Sequence, residues 1–206
     1  MSLSNVLENA TPAPLRDIYY GMDGVGKTSM AADAPAPIFL PGEDWPRRLK
    51  AARFPLPGSW QDVLASIDEL RTAKHAYGTF IIDALDRIEP LIWRDVCQKN
   101  NAPNIEMVGG GFRKGYVFAL DWWRMLTAKL EELQRLRSMH VILIAHARAS
   151  TFKNPEGEDY IRWGLNIEPQ AADLLRSWAD NVLFLTFDRR VVKTGGKFAK
   201  GKGQGG

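Results

Sequence analysis

The chain alternates short, almost continuous apolar runs with longer segments in which apolar residues recur every three or four positions. The runs are typical of strands that are buried on both faces, and the longer segments predict amphipathic helices. The predicted strands comprise residues 18–20, 37–40, 79–83, 141–145 and 182–187, and the predicted helices include Thr28, Ser59, Ile88, Ala119 and Leu174 in chain order.

This alternation predicts an α/β fold, with a mostly parallel sheet covered by helices on both faces. Residues 17–190 form the predicted domain, between a flexible lead-in at residues 1–16 and a flexible tail rich in glycine and lysine at residues 191–206. Within the domain, residues 107–114 and 148–163 lack a sustained apolar period and predict surface loops. Long loops in compact domains are usually functional.

Composition narrows the class of protein further. A length of 206 residues with 45% hydrophobic and 25% charged residues fits a single globular domain. The net charge of +3 is small, so contacts with a polyanion must come from local basic patches. The single cysteine, Cys97, excludes an internal disulfide, and no apolar run is long enough to span a bilayer. We therefore expect a cytoplasmic protein without a membrane partner.

The clearest chemical signal lies where the first predicted strand gives way to the first predicted helix. Residues 21–28 match the phosphate-loop pattern G-x-x-x-x-G-K-[ST] in full. Such a loop points backbone N–H groups at phosphate oxygens, and the start of the helix adds partial positive charge. We expect ATP with Mg²⁺ as the ligand, with Lys27 on the β and γ phosphates. The predicted nucleotide-binding residues are Gly21, Asp23, Gly24, Val25, Gly26, Lys27, Thr28 and Ser29.

Polar residues that follow other predicted strands supply the rest of a hydrolytic site. Asp83 ends an apolar strand and is predicted to hold Mg²⁺ together with the Thr28 hydroxyl. Ala84 follows Asp83, so the catalytic base must lie elsewhere, and Glu43 after the second strand is the candidate. Asp44 is its rival, and an ordinary solvated pair is the alternative. His146 is predicted to sense the γ phosphate, unless it is a satisfied structural group.

In this order the motifs resemble the RecA-like P-loop core, and more closely the phage-encoded ATP-binding proteins of the single-strand annealing type. The resemblance implies an ATPase that acts on single-stranded DNA in annealing or recombination, in the phage-infected bacterial cytoplasm. It also implies a homo-oligomer, as a ring or filament, and a single-strand DNA-binding protein as a further partner. The segments that carry it are residues 37–40, 60–64, 80–83, 115–117, 141–146 and 155–160.

In RecA-like proteins two loops after the Mg²⁺-binding aspartate face DNA, and here they correspond to residues 107–116 and 148–163. Both combine basic side chains with aromatic rings, which suit phosphates and stacked bases. A solvated turn with scattered charge is the alternative for each, and the second loop also carries carboxylates that repel a phosphate backbone. The predicted DNA-binding residues are Phe112, Arg113, Lys114, Arg148 and Lys153.

Two other functions are compatible with a phosphate loop. A small-molecule kinase needs an arginine-rich lid, for which residues 148–163 are the candidate. A nucleotide-gated assembly module needs nucleotide binding but little hydrolysis.

The chain also departs from the family after its last predicted strand, where a glycine- and lysine-rich tail stands in place of a hairpin-like segment.

Overall fold

Parallel strands form the body of a seven-stranded sheet in the computed structural model, which describes residues 13–46, 48–192 and 202–205. The sheet contains β1 (Arg16–Gly21), β2 (Pro37–Pro41), β3 (Ala52–Arg53), β4 (Thr79–Asp83), β5 (His140–Phe152), β6 (Tyr160–Leu165) and β7 (Asn181–Leu185). The strand order is β3-β2-β4-β5-β1-β7, and β6 pairs antiparallel with the outer part of β5. The order is that of a RecA-like α/β fold, as the sequence predicted.

Helices follow the strands along the chain. They are α1 (Lys27–Ala32), α2 (Trp60–Thr72), α3 (Leu85–Lys99), α4 (Lys114–Arg137) and α5 (Pro169–Trp178), with a 3₁₀ helix at Ile105–Gly110. The start of α2 lies where the sequence predicted it, because Ser59 and Asp62 form a reciprocal capping box. No helix in the described part of the chain combines the length and apolarity needed to cross a bilayer.

Alternate residues of the central strands fill two separate cores, one on each face of the sheet. Phe80 and Leu143 pack with α2, α3 and α4 in the larger core. Phe39 and Ile81 lie in the smaller core with Ala31 of α1. Helices therefore cover both faces, as predicted, although one face carries only a short helix. Burial on both faces explains why these strands read as continuous apolar runs.

The register of the parallel strands brings their carboxyl ends to one edge of the sheet. Gly21 at the end of β1 pairs with His146 of β5, and Asp83 at the end of β4 pairs with Ile144 of the same strand. Pro41 at the end of β2 pairs with Asp83. Because ligands of open parallel sheets bind at this edge, the fold itself selects the location of the site.

The second predicted loop, residues 148–163, is wrong as a description of local structure. β5 continues through it to Phe152 and pairs antiparallel with β6, so the segment is a β-hairpin that projects beyond the sheet. Its side chains are mostly exposed on both faces. A hairpin without a buried face leaves no apolar alternation in the sequence, which is why the pattern predicted a loop.

The ends of the described chain also depart from the prediction. β1 begins at Arg16, whose side chain bonds Asp180, so the last residue of the predicted lead-in belongs to the sheet. Strands β8 (Arg189–Val192) and β9 (Lys202–Gly205) form an antiparallel pair, and β8 begins two residues before the predicted tail at residues 191–206. An antiparallel pair of strands therefore follows β7 among the described residues. Residues 1–12, 193–201 and 206 lie outside the described residues.

A buried carboxylate ties three helices of the larger core together. Asp95 of α3 accepts hydrogen bonds from Gln61 of α2 and from the Trp122 indole of α4. The Lys99 ammonium lies 3.0 Å from the same group. These bonds satisfy a charge that would otherwise be costly to bury, and they fix the relative positions of α2, α3 and α4.

Removal of this carboxylate should destabilise the fold. We expect Asp95→Ala to lower the free energy of unfolding by about 1–3 kcal/mol, because it removes the shared acceptor of Gln61 and Trp122 and leaves the half-buried Trp122 indole N–H without its partner. Urea denaturation followed by tryptophan fluorescence measures the change. Asp121→Ala on α4, which removes an exposed ion pair with Arg124, is the control and should change it by no more than about 0.5 kcal/mol. Equal effects of the two variants would contradict the structural role of Asp95.

Candidate functional site

The phosphate loop lies between β1 and α1 and takes a shape that depends on glycine. Gly24 and Gly26 have φ angles of 74° and 94°, in the left-handed region that other residues rarely adopt. The buried Lys27 side chain folds back into the loop, where Nζ donates to the carbonyl oxygens of Gly21 (3.0 Å) and Met22 (2.9 Å). The loop therefore wraps around the Lys27 ammonium, as expected of a phosphate-binding loop.

Gly21 is required for a different reason, which is close packing between strands. A Cβ atom at this position would lie 2.3 Å from the carbonyl oxygen of Leu185 in β7. The chain can therefore enter the loop next to β7 only without a side chain. Any larger residue would push the start of the loop away from the sheet edge.

Carboxylates surround the Lys27 ammonium. Burial lowers the pKa of Lys27, and the negative charges of Asp23, Asp83, Asp86 and Glu43 oppose that effect. One buried cation thus faces several anionic groups contributed by different parts of the chain. Such a grouping of charged side chains at a strand edge is typical of a site that handles a highly charged ligand.

Thr28 and Asp83 meet as the sequence predicted for a magnesium site. The Thr28 hydroxyl donates a hydrogen bond of 2.7 Å to Asp83 Oδ2. Burial raises the pKa of the Asp83 carboxyl, and the bond from Thr28 counteracts it. One hydroxyl and one carboxylate oxygen side by side are ligands that Mg²⁺ accepts, since it takes few protein ligands beside phosphate and water. Thr28 and Asp83 would hold the ion, and the ion would supply positive charge that neutralises the phosphates.

A cavity of about 470 Å³ opens over these groups. It brings together most of the residues that the sequence singled out, including Glu43 and His146. Gly21, Val25 and the rival base Asp44 are not among the described residues that line it. The lining residues are Asp23, Gly24, Gly26, Lys27, Thr28, Ser29, Glu43, Pro46, Asp83, Arg87 and His146.

Glu43 borders the cavity but carries a partner that the sequence did not reveal. Its carboxylate forms an ion pair of 2.9 Å with Arg87, and its side chain is 54% exposed. Arg87 lies in the first turn of α3, where a positive charge opposes the helix dipole. This unfavourable placement is the sequence signal that could have singled out Arg87 as a residue of the cavity.

His146 also has partners on both sides. Its Nδ1 atom lies 2.8 Å from Asp86 Oδ2, and Nε2 lies 3.1 Å from Asp23 Oδ1. The hydrogen bond with Asp86 is the main cause that raises the pKa of His146, and burial works against it. The ring thus has a carboxylate beside each nitrogen and also borders the first cavity, and the predicted contact with the γ phosphate stays a prediction.

A second cavity, of about 520 Å³, adjoins the first at Arg87, which lines both. It brings together Arg113 and Arg148, which come from the two segments predicted to face DNA. Arg113 forms an ion pair of 2.8 Å with Glu168, whose carboxylate also caps the start of α5. The remaining lining residues include Glu89, Trp93, Tyr116, Asn166 and Ile167.

The segment before α4 has an unusual backbone. Residues 109–113 all have positive φ angles, including the non-glycine residues Phe112 (53°) and Arg113 (61°). Positive φ costs energy in residues with a side chain, so packing must hold this conformation, and the bond between Arg113 and Glu168 contributes. The Phe112 ring is 95% exposed as a result. Lys114 begins α4, and Lys153 lies near the tip of the hairpin, away from the second cavity.

Comparison with known proteins agrees with this geometry. A family model described as an AAA domain matches residues 13–203. The chain is also similar to the SPbeta prophage-derived uncharacterized protein YorG of Bacillus subtilis (strain 168), with 26% identity over 186 residues. That alignment covers 85% of this chain and 53% of the relative, so the chain spans about half the length of the curated protein that it matches.

Glu89 of the second cavity should make the stability of the fold depend on pH. Burial raises the pKa of its carboxyl from 4.5 to about 7. The raised pKa means that the neutral form of Glu89 is favoured in the fold, so the contribution of Glu89 to stability is greatest below pH 4.5 and is lost as the pH rises from 4.5 through about 7. Glu89→Gln stays neutral and keeps an oxygen for the Glu168 N–H.

We therefore expect the free energy of unfolding of Glu89→Gln to rise relative to that of the wild type between about pH 5 and pH 8. At the alkaline end the difference should reach about 3 kcal/mol. Denaturant unfolding at a series of pH values measures the difference. Glu158→Gln, at the exposed turn of the hairpin, is the control and should follow the wild type. Parallel curves for the wild type and Glu89→Gln would show that Glu89 ionises normally in the fold.

Proposed function

We infer that this chain, which belongs to the AAA domain family, is a Mg²⁺-dependent ATPase that acts on single-stranded DNA. The observation that carries the ATPase part is the phosphate loop whose Thr28 hydroxyl bonds Asp83 at 2.7 Å, beneath a cavity bordered by a candidate base. The prophage origin of the similar Bacillus protein supports a role in phage DNA metabolism, for which recombination or annealing is our proposal.

In the proposed reaction the chain positions a water molecule and stabilises charge on the phosphates. Lys27 and the loop amides hold the β and γ phosphates, and His146 contacts the terminal one. Glu43 orients the water and accepts its proton while the water oxygen bonds to the γ phosphorus. The bond from that phosphorus to the β–γ bridging oxygen breaks, which yields ADP and phosphate. For Glu43 to act in this way, it must leave its ion pair with Arg87.

Support for single-stranded DNA as the second ligand comes from the other cavity. Arg113 and Arg148 provide positive charge there, and the exposed Phe112 directly precedes Arg113 in the chain. Basic side chains with an exposed ring form the combination that binds a flexible phosphate backbone and stacks on its bases. Because Arg87 lines both cavities, DNA and nucleotide can influence each other through the start of α3. We propose a homo-oligomeric ring or filament, and cooperation with a single-strand DNA-binding protein.

One observation favours a second candidate, a nucleotide-gated assembly module with little hydrolysis. The Glu43 carboxylate is 2.9 Å from Arg87, and a base held in an ion pair activates water poorly. Size-exclusion chromatography with light scattering, with and without ATP, separates the two functions when a turnover assay accompanies it. Assembly with negligible turnover, in the presence and absence of DNA, would favour the second candidate.

The hydrolysis proposal predicts different defects for two site variants. Glu43→Gln should reduce turnover by about 100-fold or more while ATP binding stays near the wild-type level, because the amide cannot accept the proton. Lys27→Ala should lose nucleotide binding with the fold intact. Phosphate release and titration with a fluorescent ATP analogue measure these effects. Asp44→Asn is the matched control for Glu43→Gln and should keep its turnover; loss of turnover in Asp44→Asn alone would make Asp44 the base.

The DNA proposal predicts a stacking defect and an electrostatic defect. Phe112→Ala should weaken binding to a single-stranded oligonucleotide by about tenfold, since it removes one base-stacking surface. Arg148→Ala should lower the slope of log affinity against log salt by about 0.7, as expected for one lost phosphate contact. Fluorescence anisotropy measures both. Leu136→Ala, an exposed position near the end of α4, is the control. Failure of the wild type to bind at low salt would reject the proposal.

A further inference from the structure

One carboxylate holds His146 at two points. Asp86 Oδ1 accepts the backbone N–H of His146 at 3.0 Å, while Oδ2 lies 2.8 Å from Nδ1 of its ring. The two residues come from different elements, the first turn of α3 and the end of the buried part of β5. Two contacts to one residue fix both the position of its backbone and the rotation of its ring.

The surroundings of Asp86 keep its carboxylate charged. Its side chain is only 7% exposed, but it lies at the start of α3, where the helix dipole favours an anion. Although burial disfavours the charged form, the hydrogen bonds from His146 keep the pKa of Asp86 below its ordinary value. A carboxylate ion can only accept hydrogen bonds, so the Nδ1 atom that faces it must carry the proton.

The opposite side of the ring then faces the phosphate loop. Nε2 lies 3.1 Å from Asp23 Oδ1, and the Asp23 side chain is 90% exposed. With Nδ1 protonated, Nε2 can donate only when the ring is an imidazolium. The groups whose charges act on this ring are Asp86, Asp23, Lys27 and Asp83. Two of the carboxylates touch its nitrogens, and the raised pKa of His146 agrees with a ring that is held as a cation.

We propose that Asp86 is a positioning residue: it holds the His146 ring so that Nε2–H is directed at the terminal phosphate of the bound nucleoside triphosphate. In the structure the Asp23 carboxylate lies 3.1 Å from Nε2 on this side of the ring, and a phosphate oxygen has the same negative charge and acceptor chemistry. Asp86 itself need not touch the nucleotide. The assignment of the phosphate as the target rests on the proposed ATPase function, whereas the contact between Asp86 and His146 does not.

Imidazole NMR tests the contact without any assay of activity. The chain has 3 histidines, so ¹H–¹⁵N spectra of the rings are tractable, and His146→Gln identifies the His146 signals. In the wild type we expect a protonated Nδ1 and titration above the ordinary value of 6.5. In Asp86→Asn the His146 pKa should fall by about one unit or more. A neutral ring protonated on Nε2 in the wild type would overturn the proposal, even if the variant fails to fold.

Asp95→Asn is the matched control for these spectra. Asp95 is another buried carboxylate of α3, but its hydrogen-bond partners Gln61 and Trp122 belong to α2 and α4 and line neither cavity. A general loosening of α3 would shift the His146 pKa in both variants, whereas the proposed contact predicts a shift in Asp86→Asn alone. Equal shifts in the two variants, or none in Asp86→Asn, would overturn the role of Asp86.

Addition of nucleotide tests the direction of Nε2. Addition of Mg²⁺ with adenylyl imidodiphosphate, a non-hydrolysable triphosphate, should change the chemical shift of His146 Nε2. Addition of Mg²⁺ with ADP should change it much less. Equal responses to the two nucleotides would overturn the terminal phosphate as the target. The comparison depends on binding alone, so it stands even if the wild type fails to hydrolyse ATP and the proposed enzymatic function is rejected.

The pH profile of turnover provides the kinetic test. At pH 8 we expect Asp86→Asn to lower kcat by about tenfold, because a fall of one unit in the His146 pKa removes about nine-tenths of the imidazolium. KM should change less. At pH 6 the variant should recover most of the wild-type kcat, which a merely destabilised protein would not do. A deficit that is equal at both pH values would overturn the proposal.

Discussion

The site depends on the parallel pairing of β5 with β1 on one side and β4 on the other. This pairing places Gly21, Asp83 and His146 at one edge of the sheet, although they are far apart in the sequence. A shift of one residue in either register would turn His146 or Asp83 to the other face of the sheet, because successive side chains of a strand alternate. The buried apolar residues of both cores hold the register, so the packing of the sheet also fixes the geometry of the site.

Electrostatics at this edge follows from that arrangement. The loop holds one buried ammonium, Lys27, and the strand ends and α3 surround it with carboxylates. Each charge has a partner in the structure: Asp83 has Thr28, Asp86 has His146, and Glu43 has Arg87. A nucleotide with its metal ion would exchange several of these internal contacts for contacts with phosphate, which are of the same chemical kind. The proposed ATPase therefore needs a change of partners and no large rearrangement of the fold.

The start of α3 joins the two cavities. Arg87 lines both of them, Asp86 lines the second, and Glu89 one turn later accepts the backbone N–H of Glu168. Glu168 in turn bonds Arg113, next to the strained segment that exposes Phe112. Our proposals for nucleotide and DNA thus meet on a single helix, whose first turn contacts His146 directly. The AAA domain match covers all of these residues.

Much of the fold could be predicted from sequence, because its signals are local. The apolar runs of the central strands and the complete phosphate-loop pattern at residues 21–28 each lie within a few consecutive residues. Asp83, Glu43 and His146 could be named because each follows a recognisable strand, and parallel strand ends share one edge. The hairpin at residues 148–163 was missed, since it buries no face and so leaves no apolar period.

The partners of these residues could not be predicted in the same way. Asp86 bonds a histidine 60 positions away, and Arg113 bonds Glu168 at a separation of 55. Both contacts depend on how α3, α4 and α5 pack against the sheet, and no spacing in the sequence encodes such distances. The sequence by itself determined which groups we expect to hold a triphosphate, because eight adjacent residues carry the complete phosphate-loop pattern. Only the tertiary structure decided which side chains orient them, because those side chains are brought together by packing.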